Sequence, residues 1–490
     1  MLFVALLAFT SLAFGQGRIQ FDKQRYAVSA GESVVVEYTL PKEGKVNVKT
    51  SGGWTAEVIP NGGRHGSIKV TAPDPATAPD LKVFAVIPGE DDAFARLNVM
   101  VKDPYTEATR PKANLQIWGG LSEFNTTQED YDKAADAGFT IITLEGGEAM
   151  DMDGDGKISD EDMLATIRFK LDLIRNAGLK YTLHHPWHPG VLELVKDDPN
   201  CLMVHIFDEP GLDMIPWLKQ RREWVKQYAP EKPVHVNLHP HASIRALKTD
   251  YYRDYVKKMV EGTGMDILSY DQYPVLKDGS VMNDWYRCLE ANASVAREHE
   301  IPFWAFTASC GMDYERPARQ LPTMENMRLQ VYTDLAYGAA VVQYFVYRSY
   351  AVASIAPLTS DGKYTWVYDL VKEFNKEVHK RGYLFNDCKV SKTCFTHLTP
   401  QGCLPLIKSD LPEEIVSLET SNTALVSFFE NQGGKYIAVV NSSCKQNFAL
   451  DVEFADMAYT IDRNGDYSEQ QPGKKHFIID DGDMLVIKYR

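Results

Sequence analysis

The chain has 490 residues, 44% of them hydrophobic and 24% charged, a globular balance that excludes disordered, collagen-like and membrane-bundle proteins. At roughly 150 residues per domain, this length predicts about three domains. Acidic side chains outnumber basic ones 67 to 52, a formal charge of −15 with no run of Lys and Arg, so nucleic acid is excluded as a partner.

Residues 2–14 form one apolar run, and Ala13-Phe14-Gly15 places small residues ahead of Gln16. Residues 1–15 are therefore expected to be a signal peptide, although the first basic residue is Arg18 and no positive n-region precedes the run. No stretch reaches the roughly 18 apolar residues of a membrane span, which predicts a secreted or periplasmic protein. Seven cysteines are too few and too irregular for a disulfide scaffold, with one bridge conceivable among the four between 388 and 444.

Residues 17–103 alternate in short apolar and polar steps, as in Val34-Val35-Val36-Glu37-Tyr38-Thr39, between Gly, Pro and Asn-Gly-Gly turns. That pattern predicts an immunoglobulin-like β-sandwich. Residues 384–490 repeat it and predict a second, C-terminal β-sandwich. Between them, 112–383 alternates eight strand-like segments with helical ones: 114–118, 139–144, 180–184, 202–207, 234–238, 266–270, 302–307 and 341–346. Count and length match a (β/α)8 TIM barrel, with an open doubly wound sheet as runner-up. No G-x-G-x-x-G follows any strand, so a dinucleotide site has no support.

A (β/α)8 barrel keeps its chemistry at the C-terminal strand ends, where this chain concentrates carboxylates, imidazoles and aromatics. Strand 1 ends at Trp118, strand 2 at Glu145 with Glu148 nearby, and strand 3 at His184, His185, Trp187 and His188. Strand 4 ends in Asp208-Glu209-Pro210 and strand 5 in Asn237, His239 and His241. Asp271 and Tyr273 follow strand 6, and Tyr347 follows strand 8. The 25 Tyr and 8 Trp of the chain suit sugar rings, and Trp118, Trp187 and Trp304 are the candidate stacking faces.

Asp208-Glu209-Pro210 resembles the triplet that closes strand 4 in the large clan of (β/α)8 glycoside hydrolases, usually Asn-Glu-Pro. The resemblance covers the barrel and implies that Glu209 is the general acid. It departs twice. Residues 302–312 carry no carboxylate where retaining members have a nucleophilic glutamate after strand 7, and Asp208 stands in place of Asn. An adjacent Asp-Glu pair is similar to the N-acetylhexosaminidases of glycoside hydrolase families 20 and 123, in which the substrate's acetamido group attacks. That likeness implies Asp208 as the orienting acid and Tyr273 as a steadying hydroxyl. The competing route is inversion, with Asp271 as leading base and Glu145 or Glu148 as alternatives.

Paired imidazoles from strands 3 and 5 near Asp208 offer a different chemistry, a His-ligated metal-dependent hydrolase. Otherwise His184, His185, His188, His239 and Asn237 are expected to bond sugar hydroxyls. Asp151-Met-Asp153-Gly-Asp155-Gly156-Lys157-Ile158-Ser159-Asp160-Glu161-Asp162 reads as an EF-hand-type loop. Side-chain oxygens come at positions 1, 3 and 5, Gly at 6, the Lys157 carbonyl at 7, and Asp162 for the usual Glu at 12, so Ca2+ is expected as a structural ion. The expected partner is a carbohydrate substrate. A non-catalytic carbohydrate-binding protein with a degenerate barrel is the reading from another class. Asn125, Asn292 and Asn441 fit the glycosylation sequon.

Overall fold

Eight strands rich in Ile, Leu, Val and aromatic residues lie almost wholly buried between Lys112 and Gly382, the signature of parallel strands covered on both faces. They are β1 (Leu115–Ile117), β2 (Ile141–Glu145), β3 (Lys180–His184), β4 (Cys201–Asp208), β5 (Val234–Leu238), β6 (Ile267–Tyr270), β7 (Phe303–Ala308) and β8 (Ala339–Phe345). In the computed structural model each pairs in parallel with the next, and β8 closes onto β1. A helix follows each strand: α1 (Gln128–Asp136), α2 (Asp160–Asn176), α3 (Pro189–Val195), α4 (Ile215–Tyr228), α5 (Tyr252–Thr263), α6 (Trp285–Glu298), α7 (Met324–Ala336) and α8 (Trp366–Gly382). This is the (β/α)8 barrel of the sequence reading. The structure describes residues 19–490 except 61–62, 122, 124–126, 242–246, 248, 250 and 313–317. The signal-peptide expectation and Asn125 lie outside the described residues.

Local chemistry explains the helix starts. Ser159 accepts from the Asp162 amide while the Asp162 carboxylate accepts from Ser159, a capping box that opens α2 after the acidic loop. Thr323 and Asn326 repeat the device at α7. Inside the barrel, Ile141, Met203, Ile267, Trp304 and Val341 form one apolar cluster low in the interior.

The chain divides into two compact units rather than three, one formed chiefly by the segment ending at Pro111 and the other by Lys112 onward. In the first, Ser33–Thr39, His65–Thr71 and Thr55–Pro60 form an antiparallel sheet with Gln20–Phe21 at its edge. Lys45–Lys49, Lys82–Val86 and Ala93–Arg96 form a second sheet. Val36, Ile68, Val70, Val83 and Ala85 from both sheets share one core.

In the second unit, Lys389–Phe395, Ala424–Asn431, Gly434–Asn441, Met484–Lys488, Ala458–Ile461 and Tyr467–Gln470 build a six-stranded sheet. Ile415–Thr420, Phe448–Phe454 and Gly473–Ile479 build a three-stranded one. These sheets belong to the barrel's unit and share buried polar contacts with it. Arg381 of α8 is completely buried and paired with Asp483, and Ser427 Oγ donates to the Ala336 carbonyl at 2.6 Å.

All seven cysteines are free thiols, so no bridge forms between 388 and 444. Asn292 and Asn441 are buried with their amides donating to protein oxygens, and neither sequon presents an accessible acceptor. Among the described residues, no helix is long and apolar enough to cross a membrane.

Candidate active site

Period-two alternation aims Gln116 and Trp118, Thr143 and Glu145, Thr182 and His184, His235 and Asn237, and Ser269 and Asp271 into the barrel from β1, β2, β3, β5 and β6. Gln116 Nε2 donates to Thr143 Oγ1 at 3.2 Å and Thr182 Oγ1 at 2.8 Å, a direct sign of that shared interior. Strand β4 breaks the rule, because a register shift between His205 and Phe207 interrupts its pairing with β5. His205 and Asp208, three residues apart, thereby both reach the interior.

Three carboxyl groups meet at the mouth. Asn237 Nδ2 donates to Asp208 Oδ1 at 2.9 Å and to Asp271 Oδ1 at 3.2 Å. Its own carbonyl oxygen accepts from Ser269 Oγ at 3.0 Å, and that hydroxyl accepts from Gln343 Nε2 at 2.8 Å. Asp271 is hydrogen-bonded to Glu209. Its recessed position first, and the Glu209 and Asp208 charges second, hold its carboxyl well above the ordinary range. Asp208 faces the cavity but is walled by protein, and the same desolvation raises it, opposed by the Asn237 hydrogen bond. His239 Nδ1 stands 3.3 Å from Glu209 Oε1. Glu209 and His185 both adopt left-handed backbone, φ +50° and +47°, a strained conformation for non-glycine residues that clusters at functional sites.

Beside the carboxyl cluster lies a row of imidazoles. His184, His205 and His235 are register neighbours across β3, β4 and β5, with ring centroids 4.5 and 5.1 Å apart. Trp118 packs edge-on against His184 at 4.3 Å and His205 at 5.0 Å. Burial drives the pKa of His184 and His205 well below the usual value and that of His235 to about 3, so all three are neutral at physiological pH. Glu145 Oε2 lies 3.5 Å from His185 Nδ1. A cavity of roughly 310 Å³ opens here, lined in part by Trp118, Glu123, Glu145, His185, Asp208 and Tyr350.

Other expected site residues fall elsewhere. Trp304 is buried low in the barrel, 5.8 Å from the His235 ring, and offers no stacking face. Tyr347 is likewise buried, 5.9 Å from Phe139, and does not reach the mouth. His188 caps α3 by accepting from the Gly190 amide, and Trp187 stands exposed beside it on the rim. Tyr273 stacks on Phe345 at 5.1 Å near the carboxyl cluster. Glu148 pairs with the buried Lys170.

The expected imidazole grouping also differs: His239 sits by Glu209 and His241 by Asp284, while His184, His185 and His205 come together. Sequence reasoning missed His205, Ser269 and Gln343, which lie inside strands. It also missed Glu123, whose carboxylate accepts from the Gly120 amide at 2.9 Å and is raised by burial. The alternation of QIW, TLH and LSYD was the available signal for Ser269, and the bulge hid His205.

In the acidic loop, the Asp151, Asp153 and Asp155 carboxylates converge within 4.8 Å of one another. Asp151 accepts from Gly154 and Gly156 amides, Asp153 from Asp155, and Asp155 from Lys157. Asp162 uses both oxygens within the protein, on the Met152 amide and on Ser159.

Residues 211–377, well under half of the chain, match a family model named Glyco_hydro_42 and described as Beta-galactosidase. That part of the barrel is glycoside hydrolase-like in sequence. The match begins just past Glu209 and includes Asp271. No curated protein matches the chain.

Among solved structures, a β-galactosidase from the psychrophilic Marinomonas ef1 is 10% identical over 55% of this chain and 60% of its own, with a TM-score of 0.42. The β-galactosidase of the haloarchaeon Halorubrum lacusprofundi is 13% identical over 54% and 58%, with a TM-score of 0.41. An α-galactosidase from Saccharomyces cerevisiae is 8% identical over 78% and 98%, with a TM-score of 0.43. The chain thus spans about three fifths of the length of the two β-galactosidases.

Proposed function

We propose that the protein is a glycoside hydrolase that cleaves O-glycosidic bonds of an oligo- or polysaccharide, with Glu209 as general acid. The observation that carries this reading is the junction of Asp208, Glu209 and Asp271 at one barrel mouth, tied together by Asn237 and bordering a cavity large enough for a sugar ring. Asp271, held above the ordinary carboxyl range by desolvation and in hydrogen-bonding contact with Glu209, keeps a proton at the mouth. A general acid needs that proton for the departing glycosidic oxygen.

Contact between Asp271 and Glu209 leaves no room for a water and a sugar ring between them, whereas an inverting acid and base stand roughly 6.5–9.5 Å apart. Asp271 is therefore the acid's proton-keeping partner rather than the opposite-face base. Without a carboxylate in Phe303–Met312, the route this cluster supports best is attack by a substrate acetamido group, oriented by Asp208, with Tyr273 beside it. Inversion has one specific point in its favour, that Glu123 and Glu145 line the cavity together with Asp208.

In Glu209→Gln, turnover of an unactivated glycoside should fall by about 10²–10⁴. A dinitrophenyl glycoside, whose leaving group needs no proton, should lose far less. Equal losses on both substrates would remove Glu209 as the acid. Retained product anomer together with a requirement for the N-acetyl group would assign acetamido participation, and an inverted anomer would assign the Glu123 or Glu145 route. Sugar binding with no turnover in the unaltered protein would favour the degenerate-barrel reading.

Three subsidiary proposals accompany this one. The apolar segment 2–14 directs export, the flanking sheets are β-sandwich accessories, and Asp151, Asp153 and Asp155 hold a structural Ca2+. With both oxygens committed, Asp162 braces that loop from α2.

A further inference from the structure

We propose that His184, His185 and His205, with the Glu145 carboxylate as fourth donor, form a site for a transition-metal ion of the zinc class on the wall of the cavity. A donor atom from each of the three imidazoles lies within 4.8 Å of the others. Glu145 Oε1 is 3.8 Å from His184 Nδ1 and its Oε2 is 3.5 Å from His185 Nδ1. A tetrahedral ion with metal–donor bonds near 2.0–2.1 Å separates its donors by roughly 3.3 Å, so these two contacts need to close by only a few tenths of an ångström.

Packing alone does not account for this arrangement. Consecutive strand residues point to opposite faces, yet His184 and His185 converge, because His185 takes the left-handed φ of +47°. His205 stands at the same level because it pairs in register with His184 across β3 and β4. His205 is completely buried, and neither of its ring nitrogens makes a hydrogen bond of normal geometry. Buried polar groups are rarely left so, and an ion or water in contact with the ring supplies the missing partner. His184 Nε2 lies 3.1 Å from Thr182 Oγ1, itself held by Gln116, which leaves Nδ1, the nitrogen facing Glu145, as the donor. That is the outer-shell support a metal-ligating histidine needs.

The donor chemistry separates this site from the acidic loop. Three imidazoles select zinc, copper, nickel or cobalt, while the all-oxygen loop selects hard cations. Because the cavity includes His184, His185, Glu145 and Asp208, an ion held here would face a bound sugar and could take one of its hydroxyls in an open position. The site itself does not depend on the glycosidase reading, since its readout is metal binding and not turnover.

The test uses the full chain with Asp151→Asn and Asp153→Asn in the acidic loop, stripped by chelator and titrated with Zn2+ in a calorimeter and with Co2+ in a visible spectrometer. One Zn2+ per chain is expected at micromolar affinity or tighter, with Co2+ giving the intense visible bands of a four-coordinate ion. His185→Ala, at an exposed position, should weaken Zn2+ binding by at least about 10–100-fold with an unchanged circular dichroism spectrum, and His205→Gln should do the same. Should His205→Gln fail to fold, His185→Ala decides alone. No Zn2+ binding below millimolar, or affinity untouched by His185→Ala, would overturn the site.

Discussion

Asp271 accepts a hydrogen bond from Asn237 at 3.2 Å, touches Glu209, and keeps its carboxyl well above the ordinary range chiefly through desolvation. The native state therefore binds a proton that the unfolded chain, with a carboxyl near 3.8, releases. The sign follows directly. This contribution to stability is complete below pH 3.8 and is lost as pH rises through the raised native value. Asparagine preserves the shape and cannot ionise, so Asp271→Asn should melt a few degrees higher than the unaltered protein at pH 8 and nearly level with it at pH 4. A melting difference independent of pH would contradict this.

The same residue shows how far the sequence reading reached. Asp208, Glu209, Asn237 and Asp271 were legible because each follows or ends a countable strand. Their mutual contact was not, since spacing along the chain carries no information on whether two mouth carboxylates are 3 or 8 Å apart. Trp304 and Tyr347 were misplaced for a related reason: a ring suited to stacking on sugar is equally suited to filling a barrel, and only burial separates the two.

At the scale of elements, the periodicity that predicts a barrel strand also predicts which of its residues face inward, until a bulge intervenes. Strands β1, β2, β3, β5 and β6 aim their mouth residues by it, whereas β4 carries a register shift between His205 and Phe207, which is why His205 passed unnoticed. The loop between β2 and α2 was more legible as a turn, since Gly154 and Gly156 turn the backbone back onto Asp151 and the Asp151, Asp153 and Asp155 carboxylates converge.

Here the acidic loop and the α2 capping box act together, with Asp162 linking the Met152 amide to Ser159. Ca2+ at about 100-fold its Kd should stabilise the native state by about 2.7 kcal/mol. Adding Ca2+ to the chelator-stripped protein is accordingly expected to raise the melting temperature, and Asp151→Asn with Asp153→Asn should abolish that Ca2+ response. Ser159→Ala should cost about 1 kcal/mol whether or not Ca2+ is present, a difference measurable by denaturant titration. A Ca2+ response surviving in the double variant would place the calcium elsewhere.

At the scale of the molecule, composition and length predict three parts, whereas the last of them falls in one compact unit with the barrel. What patterning could not foresee is that the last part shares an ion-pair network with the barrel. Arg381 lies over the Tyr332 ring at 4.2 Å and pairs with Asp483, which also takes Arg463 at 2.7 Å. Burial opposes the charge on Asp483, yet the two guanidiniums prevail and hold its carboxyl below the ordinary range. Its stabilising contribution is present above the unfolded value of 3.8 and disappears as pH falls through the depressed native one.

Removing one partner of a buried pair leaves the other charge unpaired in the interior, at a cost of about 3–5 kcal/mol. Asp483→Asn should therefore lower the melting temperature of the whole unit from Lys112 onward, in one transition sensed by both barrel and sheets. The deficit should shrink toward acid pH, where Asp483 itself loses its charge. Arg381→Met combined with Asp483→Leu should recover much of the loss, because the uncompensated charge is gone. Separate transitions for the barrel and the C-terminal sheets, or a deficit that stays constant as the pH is lowered, would show that this pair does not couple them.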